Sequence, residues 1–368
     1  MLTDLENTQK ETALQLETLI EGRTFPFSVL FSGPAYSGRM FAANRVAGAL
    51  GSSLETTIII SDRDFRTRIK ASSELLRQNR TAACAAFLAC CVSTFLKQFH
   101  GALLDSQSQV NRKKFSDAGD CMDLLTELSG LSEQELSGAE QLIDRLDSSL
   151  EKLYTSRNTR SVTVGKIRDI RRWCSEYSAD GKTKTVIIEG IEDAGDSVSN
   201  SLLKILEEPP ADTFFIIISD NPGRIGQTVL SRLRHFTFHD MDRKALEYIL
   251  APLGVSPAVF PDMQSFFLSY SGADDALLRK SASDLLAGKE PDMPALVREL
   301  EKNHLYGRFF ALVVDQIRKN HLSGLLSESR CSYLLNELET AMDRGAAFNQ
   351  QERLTLDFVV FRTLEVVG

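Results

Sequence analysis

Short apolar runs alternate with helical patterns over two stretches of the chain. The run 27–31 leads into Ser32-Gly33-Pro34, and the run 52–61 contains consecutive β-branched residues. Both are typical of buried strands. Further strands are predicted at 185–189 and 213–219, with helices at 39–50, 165–177 and 197–207. This alternation predicts a parallel sheet with helices on both faces.

Two other regions lack the alternation. From about 62 to 158 the pattern indicates helices, with a loop at the polar run 111–114, and beyond Asp242 the strand signal disappears. Pro291 and Pro294 indicate a linker between two helical segments. We therefore predict a core at 1–240 with a helical insertion at about 62–158, followed by helical domains at 241–290 and 291–368.

Composition narrows the functional classes. A length of 368 residues favours two or three domains. The net charge of -8 argues against tight, autonomous binding to nucleic acid, although a role shared with other subunits stays open. Because the chain has no run of eighteen apolar residues and an acidic start, we expect no membrane span and a cytoplasmic location.

The six cysteines are expected to be reduced thiols. Cys84, Cys90 and Cys91 lie in an apolar helical pattern and do not have the spacing of zinc ligands. We expect them to pack in the core, and we expect no metal site.

The loop after the first strand carries both glycines of the phosphate-loop pattern G-x-x-x-x-G-K-[ST], at Gly33 and Gly38. Its backbone N–H groups can cradle phosphates. However, Arg39 replaces the lysine, and Met40 replaces the hydroxyl residue that would hold Mg²⁺. A thioether is a poor ligand for a hard cation. The loop alone leaves an ordinary strand-to-helix turn as an equal alternative.

Further motifs reduce that ambiguity. They are VIIEGIE at 186–192, NSLLKILEEPP at 200–210, IIISDNP at 216–222 and VLSRLR at 229–234. Together they resemble the AAA+ clamp-loader subunits of bacterial DNA polymerase III, most closely the delta-prime branch. The resemblance covers 8–50 and 161–240, with a further likeness at 349–360. Residues 62–158 do not match the small zinc module that the family commonly carries there.

The resemblance implies a P-loop AAA+ core with a helical insertion, a small helical lid and an all-α collar. It places the acidic pair of the Walker B motif on Glu189 and Gly190. Glu189 keeps a carboxylate for Mg²⁺, whereas Gly190 has no side chain to polarise water. With Arg39 and Met40, these changes predict a degenerate site without ATPase activity. Binding of ATP or ADP without turnover stays open because Arg39 can pair with phosphate.

The family's S-R-C motif matches 231–233, which implies that Arg232 is an arginine finger acting in the ATP site of a neighbouring subunit. The alternative is that Arg232 only pairs with Glu207 or Glu208, and Arg234 is a nearby competitor for the role. Ser219 and Asn221 match the sensor at a strand end beside the phosphates.

Three arginines, Arg168, Arg171 and Arg172, share one predicted helix and are candidates for contact with DNA or with another subunit. The basic run 63–80 is a weaker candidate for DNA contact, because acidic residues are interspersed there and a solvated helix face explains it equally well.

The sequence thus predicts a clamp-loader subunit that requires no cofactor and does not hydrolyse ATP. Its expected partners are gamma/tau-like motor subunits, delta-like subunits, the sliding clamp and, through the complex, primed DNA. Two alternatives stay open: a motor subunit that hydrolyses ATP with atypical residues, and an AAA+-derived scaffold outside replication.

Overall fold

The computed structural model describes residues 2–61, 63, 65–104, 109–154, 162–175, 183–303, 305–347 and 352–367. They form two compact units, 1–271 and 272–368. The division into three domains at 240 and 290 stays a prediction.

A parallel sheet is the centre of the first unit. Its strands are β1 (Ser28–Ser32), β2 (Thr57–Ile60), β3 (Lys184–Glu189), β4 (Thr213–Ser219) and β5 (Arg234–Thr237). They lie in the order β2-β3-β4-β1-β5, and each pairs with its neighbours in parallel. The carboxyl ends of all five strands therefore meet at one edge, where open α/β sheets place their ligands.

Alternate residues of the strands pack into two separate apolar clusters, one on each face of the sheet. Phe31 and Ile218 belong to the first cluster, and Leu30 and Ile217 belong to the second. Because successive strand side chains point to opposite faces, a strand buried on both sides reads as a continuous apolar run. The predicted parallel sheet flanked by helices is confirmed.

Helices cover both faces. Those of the first unit are α1 (Thr3–Glu6), α2 (Lys10–Glu21), α3 (Arg39–Ala49), α4 (Arg66–Asn79), α5 (Ala82–Leu96), α6 (Gln109–Ser129), α7 (Glu133–Leu136), α8 (Glu140–Tyr154), α9 (Val164–Ser175), α10 (Asp196–Glu207), α11 (Gln227–Leu230), α12 (Arg243–Leu250) and α13 (Met263–Tyr270). Helices α2 to α8 contribute to the first cluster, and α9 to α11 contribute to the second.

The predicted insertion is helical throughout its described part. Helix α5 packs between α4 and α6, α6 packs along α8, and α4 also packs against α13. The loop predicted at 111–114 is wrong, because these residues lie inside α6. Their polar side chains are accommodated at the surface, and without glycine or proline nothing there interrupts the helix.

One stretch in the described part of the chain, Ala82–Leu103, is long and apolar enough to cross a membrane. Half of its apolar window is buried inside the fold, and α5 supplies most of it. A core helix of a soluble protein passes the same test, so this is weak evidence for a span. The cytoplasmic location stays a prediction.

The second unit is helical. It contains α14 (Asp275–Leu286), α15 (Met293–Asn303), α16 (Tyr306–Leu322), α17 (Glu328–Ala347) and α18 (Glu352–Val367). Its core includes Phe309 and Ile317 of α16 and Leu334 of α17. Residues 349–351 of the predicted C-terminal motif lie outside the described residues; the rest of that motif begins α18.

Strand β5 was missed by sequence reasoning. It has four residues and lies at the sheet edge beside β1, and only Phe236 of the four is buried. A short and mostly exposed edge strand lacks the apolar run that identified β1 and β4.

Candidate functional site

The glycine loop connects β1 to α3 and needs both of its glycines. Gly33 has φ 147°, and a Cβ there would lie 2.3 Å from the carbonyl oxygen of Phe238. Gly38 has φ 91° and immediately precedes α3. A side chain is strained at either φ, so the close backbone path requires glycine. The predicted loop therefore has the geometry that the phosphate-loop pattern indicates.

Gln9 ties the loop to the end of β5. Its Nε2 donates to the carbonyl oxygens of Ser37, at 3.1 Å, and His239, at 2.7 Å. Its Oε1 accepts from the N–H of His239 at 3.0 Å. The side chain is buried, so one amide satisfies three backbone groups and holds the two segments together.

Arg39 is committed to an internal partner. Its side chain is 5% exposed, and Nη2 donates to a carboxylate oxygen of Asp220, which directly follows β4. The other oxygen of Asp220 accepts from Arg63, which comes from the start of the insertion. Nη1 of Arg39 is buried and has no hydrogen-bond partner in the described part of the structure. Two cations thus share one anion where the resemblance expects phosphates.

Met40 and Glu189 line one cavity, as do Gly38 and Arg39. Glu189 ends β3 and accepts a hydrogen bond from the Ser61 hydroxyl at 2.6 Å. Gly190 follows in the left-handed conformation, with φ 87°. The structure brings these predicted residues together at the carboxyl edge of the sheet, with a thioether in place of the expected hydroxyl.

Glu192 is a buried acid beside this cluster. Its Oε1 accepts from the N–H of Asp220 at 3.1 Å and lies 3.8 Å from Arg63 Nη2. Its Oε2 is buried and has no hydrogen-bond partner among the described residues. Burial raises the pKa of the Glu192 carboxyl, and the hydrogen bonds and Arg63 only partly oppose that shift.

Ser219 and Asn221 lie at the end of β4. Ser219 is buried beside Ser32 of β1, and its hydroxyl accepts from the N–H of Asn221 at 3.1 Å. Asn221 is exposed. The position beside the glycine loop agrees with the sensor region of the resemblance, and the sensing role stays a prediction.

Arg232 lies in the turn between α11 and β5. Its Nε donates to Glu207 at 2.8 Å, Nη2 donates to the same oxygen, and Nη1 donates to the carbonyl oxygen of Thr228. The side chain is 31% exposed. In the chain by itself Arg232 thus pairs with Glu207, while Arg234 is exposed on β5 and lies over Phe236.

The three predicted arginines of α9 are exposed, whereas Ile167 and Ile170 of the same helix are buried. Arg172 lies 3.5 Å from Asp169. Their arrangement is a solvated basic face, and contact with DNA or a subunit stays a prediction.

The cysteines are free thiols, and Cys84, Cys90 and Cys91 lie on α5. Burial raises the pKa of the Cys91 thiol to about 12, which disfavours the thiolate that binds metal. Within the described ranges no three His, Cys, Asp or Glu side chains form a group that could hold a metal ion.

Comparison with known proteins shows which families this chain resembles in sequence. Residues 100–242 match the family described as DNA polymerase III, delta subunit. The delta-prime subunit of Bacillus subtilis is 32% identical over 97 residues, or 26% of this chain and 30% of that protein. The delta-prime subunit of Escherichia coli is 26% identical over 180 residues, or 48% of this chain and 53% of that protein.

The chain is thus similar to DNA polymerase III delta-prime subunits over part of its length. The tau subunit of Bacillus subtilis is also similar, 34% identical over 83 residues that make up 23% of this chain and 15% of that protein. The chain thus matches between 15% and 53% of the length of these three relatives. The family match begins at residue 100, so it includes part of the segment 62–158 that the sequence analysis separated from the family.

Sequence reasoning did not assign four residues of this chain to the candidate site: Gln9, Arg63, Glu192 and Asp220. A usable signal existed for Arg63 and Asp220, since each follows a predicted strand within two residues and so lies at the carboxyl edge of a parallel sheet. No comparable signal marked Gln9, which reaches the loop only because α2 packs against the sheet.

Proposed function

We propose that this chain is a clamp-loader subunit that does not hydrolyse ATP. It supplies Arg232 to the ATP site of a neighbouring subunit and helps to load the sliding clamp onto primed DNA. The observation that carries the proposal is the loss of reactive groups from an otherwise well-formed nucleotide site. A chain that keeps the loop but lacks its chemistry is suited to a role in another subunit's reaction.

Two positions remove the chemistry of hydrolysis. Met40 offers sulfur where Mg²⁺ needs a hydroxyl oxygen, and Gly190 offers no carboxylate to orient the attacking water. Glu189 alone does not replace them, because its carboxylate is buried and bonded to Ser61. The proposal accordingly requires no cofactor and no metal.

The ion cluster adds a second obstacle. A phosphate that entered the loop would have to displace Asp220 from Arg39 and Arg63. The need to displace Asp220 makes nucleotide binding less favourable but does not prevent it. Binding of ATP or ADP without turnover is therefore compatible with the proposal.

Arg232 has the chemistry of a trans-acting group. Its planar guanidinium is always charged, and its half-exposed position lets a neighbouring subunit approach it. In the proposed assembly the triphosphate of the neighbour replaces Glu207 as its partner. Arginine fingers typically accelerate phosphoryl transfer by about 10³ to 10⁵.

The delta-prime and tau relatives support the choice of partners. We propose gamma/tau-like motor subunits and delta-like subunits as neighbours, with the clamp and primed DNA engaged through the complex. Arg168, Arg171 and Arg172 are the proposed contacts with DNA or with another subunit. A cytoplasmic location is part of the same proposal.

Steady-state ATPase measurements test it. The chain is assayed alone and then mixed with gamma/tau-like and delta-like subunits, the clamp and primed DNA. We expect no turnover alone and stimulation of the mixture, which Arg232→Ala abolishes. Arg234→Ala is the matched control and should keep the stimulation. Glu207→Gln should also keep it, since the released Arg232 retains its charge.

Each alternative has its own outcome. Magnesium-dependent turnover by the isolated chain would establish a motor subunit with an atypical site. Failure to associate with any clamp-loader subunit would establish a scaffold outside replication. If Arg234→Ala loses the stimulation and Arg232→Ala keeps it, Arg234 is the arginine finger.

A further inference from the structure

A large cavity lies beside the glycine loop, within the first unit. It extends from the start of α3 to α5 of the insertion and to α12 and α13. Its volume is about 730 Å³, within the range of pockets that enclose a drug-sized molecule. Helix α5 therefore supplies one wall of the cleft that the glycine loop opens onto.

Aromatic and sulfur-containing side chains dominate the wall. Phe87 of α5 stacks on Phe267 of α13 with ring centroids 6.0 Å apart, and Tyr36 of the loop lies 5.8 Å from Phe267. Met40, Met263 and Cys91 complete the apolar surface. Flexible thioethers and aromatic faces suit an apolar ligand of adaptable shape. The ribose and triphosphate of a nucleotide would find few polar partners among them.

A cationic side chain, Arg68, lines the cavity. The guanidinium of Arg68 lies 4.7 Å from the centre of the Tyr36 ring and 5.9 Å from that of Phe267. In the described part of the chain no carboxylate lies within ion-pair distance of Arg68. Arg39 also lines the cavity, with its Nη1 buried and unbonded. Because Arg39 is paired with Asp220 and its Nη1 is fully buried, Arg68 is the arginine that a ligand in the cavity can meet.

Three acids also line the cavity. Asp4 is bonded to Arg45 at 3.0 Å and to Tyr248 at 3.1 Å, and Glu189 is bonded to Ser61. Glu247 is exposed to solvent at the rim. These carboxylates keep their negative charge, and none of them forms an ion pair with Arg68 among the described residues.

We propose that this cavity binds a small amphipathic anion, an apolar chain or ring system that ends in one carboxylate or a similar group. The apolar body packs among Phe87, Met263 and Phe267, and the anionic end meets Arg68. This site is separate from the reaction proposed above, and its test does not depend on the clamp-loader assay.

Three probes with the same ten-carbon chain separate the contributions: decanoate, decanol and decyltrimethylammonium. Titration calorimetry on the full chain should show one saturable site for decanoate, with affinity about tenfold or more above that for decanol. The cationic probe should bind weakest. Decanoate should also raise the Tm as its concentration passes its Kd.

Variants assign the site. Arg68→Gln should reduce the affinity for decanoate by about tenfold or more and leave that for decanol unchanged. Ala86→Phe, at an exposed position on the cavity wall, should abolish binding of decanoate and decanol by filling space. Arg298→Gln, at an exposed arginine of α15 in the second unit, is the control and should behave as wild type. Circular dichroism and the Tm without probe verify that each variant folds.

Three results would overturn the proposal. They are no saturable binding of any probe, equal binding of decanoate and decanol that Arg68→Gln does not change, and displacement of decanoate by micromolar MgATP, which would make the cavity a nucleotide site. None of them alters the outcome of the ATPase test of Arg232, so the two proposals fail separately.

Discussion

At the scale of single residues, the nucleotide site is organised by charges that neutralise one another. Arg39 and Arg63 converge on Asp220, and the N–H of Asp220 is bound by Glu192. A carboxylate of the protein thus lies where a phosphate-binding loop would present its cation to a ligand. This internal pairing satisfies the charge of the buried arginine without a ligand.

Glu192 gives a pH-dependent prediction. Its pKa is raised by burial above the ordinary value of 4.5, so the folded protein holds a proton at pH values where the unfolded chain has released it. The stabilising contribution is complete below pH 4.5 and is lost as the pH rises through the folded pKa. At pH values above the folded pKa the buried charge therefore lowers the free energy of unfolding.

We expect Glu192→Gln to raise the Tm at pH 7.5, because it keeps the acceptor for the Asp220 N–H and removes the charge. A gain of about 1 kcal/mol would appear as roughly 2–4 °C. The difference from wild type should shrink as the pH falls towards 4.5, which thermal unfolding followed by circular dichroism at several pH values would reveal. A difference that does not change with pH would contradict the assignment.

At the scale of elements, the loop depends on a connection that crosses the fold. Gln9 precedes α2, yet its amide holds the loop after β1 and the chain that leaves β5. The register of β5 beside β1 brings Phe238 against Gly33 in the same place. The position of the glycine loop is therefore set by three segments that are distant in sequence.

We expect Gln9→Ala to lower the free energy of unfolding by about 2–4 kcal/mol, since it leaves buried backbone groups without partners. Urea denaturation measures the loss. Thr18→Ala is a suitable control: this exposed residue donates its hydroxyl to the carbonyl oxygen of Leu14 on the same helix, and we expect a change within about 0.5 kcal/mol. Equal effects of the two substitutions would show that Gln9 does not connect the segments.

At the scale of the whole molecule, the second unit exposes an apolar row on its last helix. Leu354, Phe358 and Phe361 of α18 are 57%, 39% and 65% exposed. They follow one another at helical spacing, while Leu356 and Val359 of the same helix are buried. Large apolar side chains grouped on one helix face are typical of a surface that another protein covers.

We expect the double substitution Leu354→Ser and Phe361→Ser to weaken association with gamma/tau-like and delta-like subunits at least tenfold, without altering the circular dichroism of the isolated chain. Size-exclusion chromatography with light scattering would measure the complex. The control is Leu322→Ser with Leu325→Ser, at two leucines that are 86% and 78% exposed, one the last residue of α16 and the other in the turn that follows. A similar loss in both double variants would mean that general solubility, not a specific face, controls assembly.

Sequence by itself determined the parallel sheet and the glycine loop, because buried strands are continuous apolar runs and the loop needs glycine at two positions. It also identified Met40 and Gly190, since a missing functional group is visible in the residue type alone. The family resemblance and the helical character of the insertion needed no coordinates either.

Only the tertiary structure decided which charges meet. Arg39, Arg63 and Asp220 are up to 181 residues apart and come together because the carboxyl ends of parallel strands share one edge. Three other features likewise arise from the fold: the pairing of Arg232 with Glu207, the edge strand β5 and the cavity to which α5 contributes a wall. They depend on side-chain direction and on the packing of distant elements, which local hydrophobic patterns do not encode.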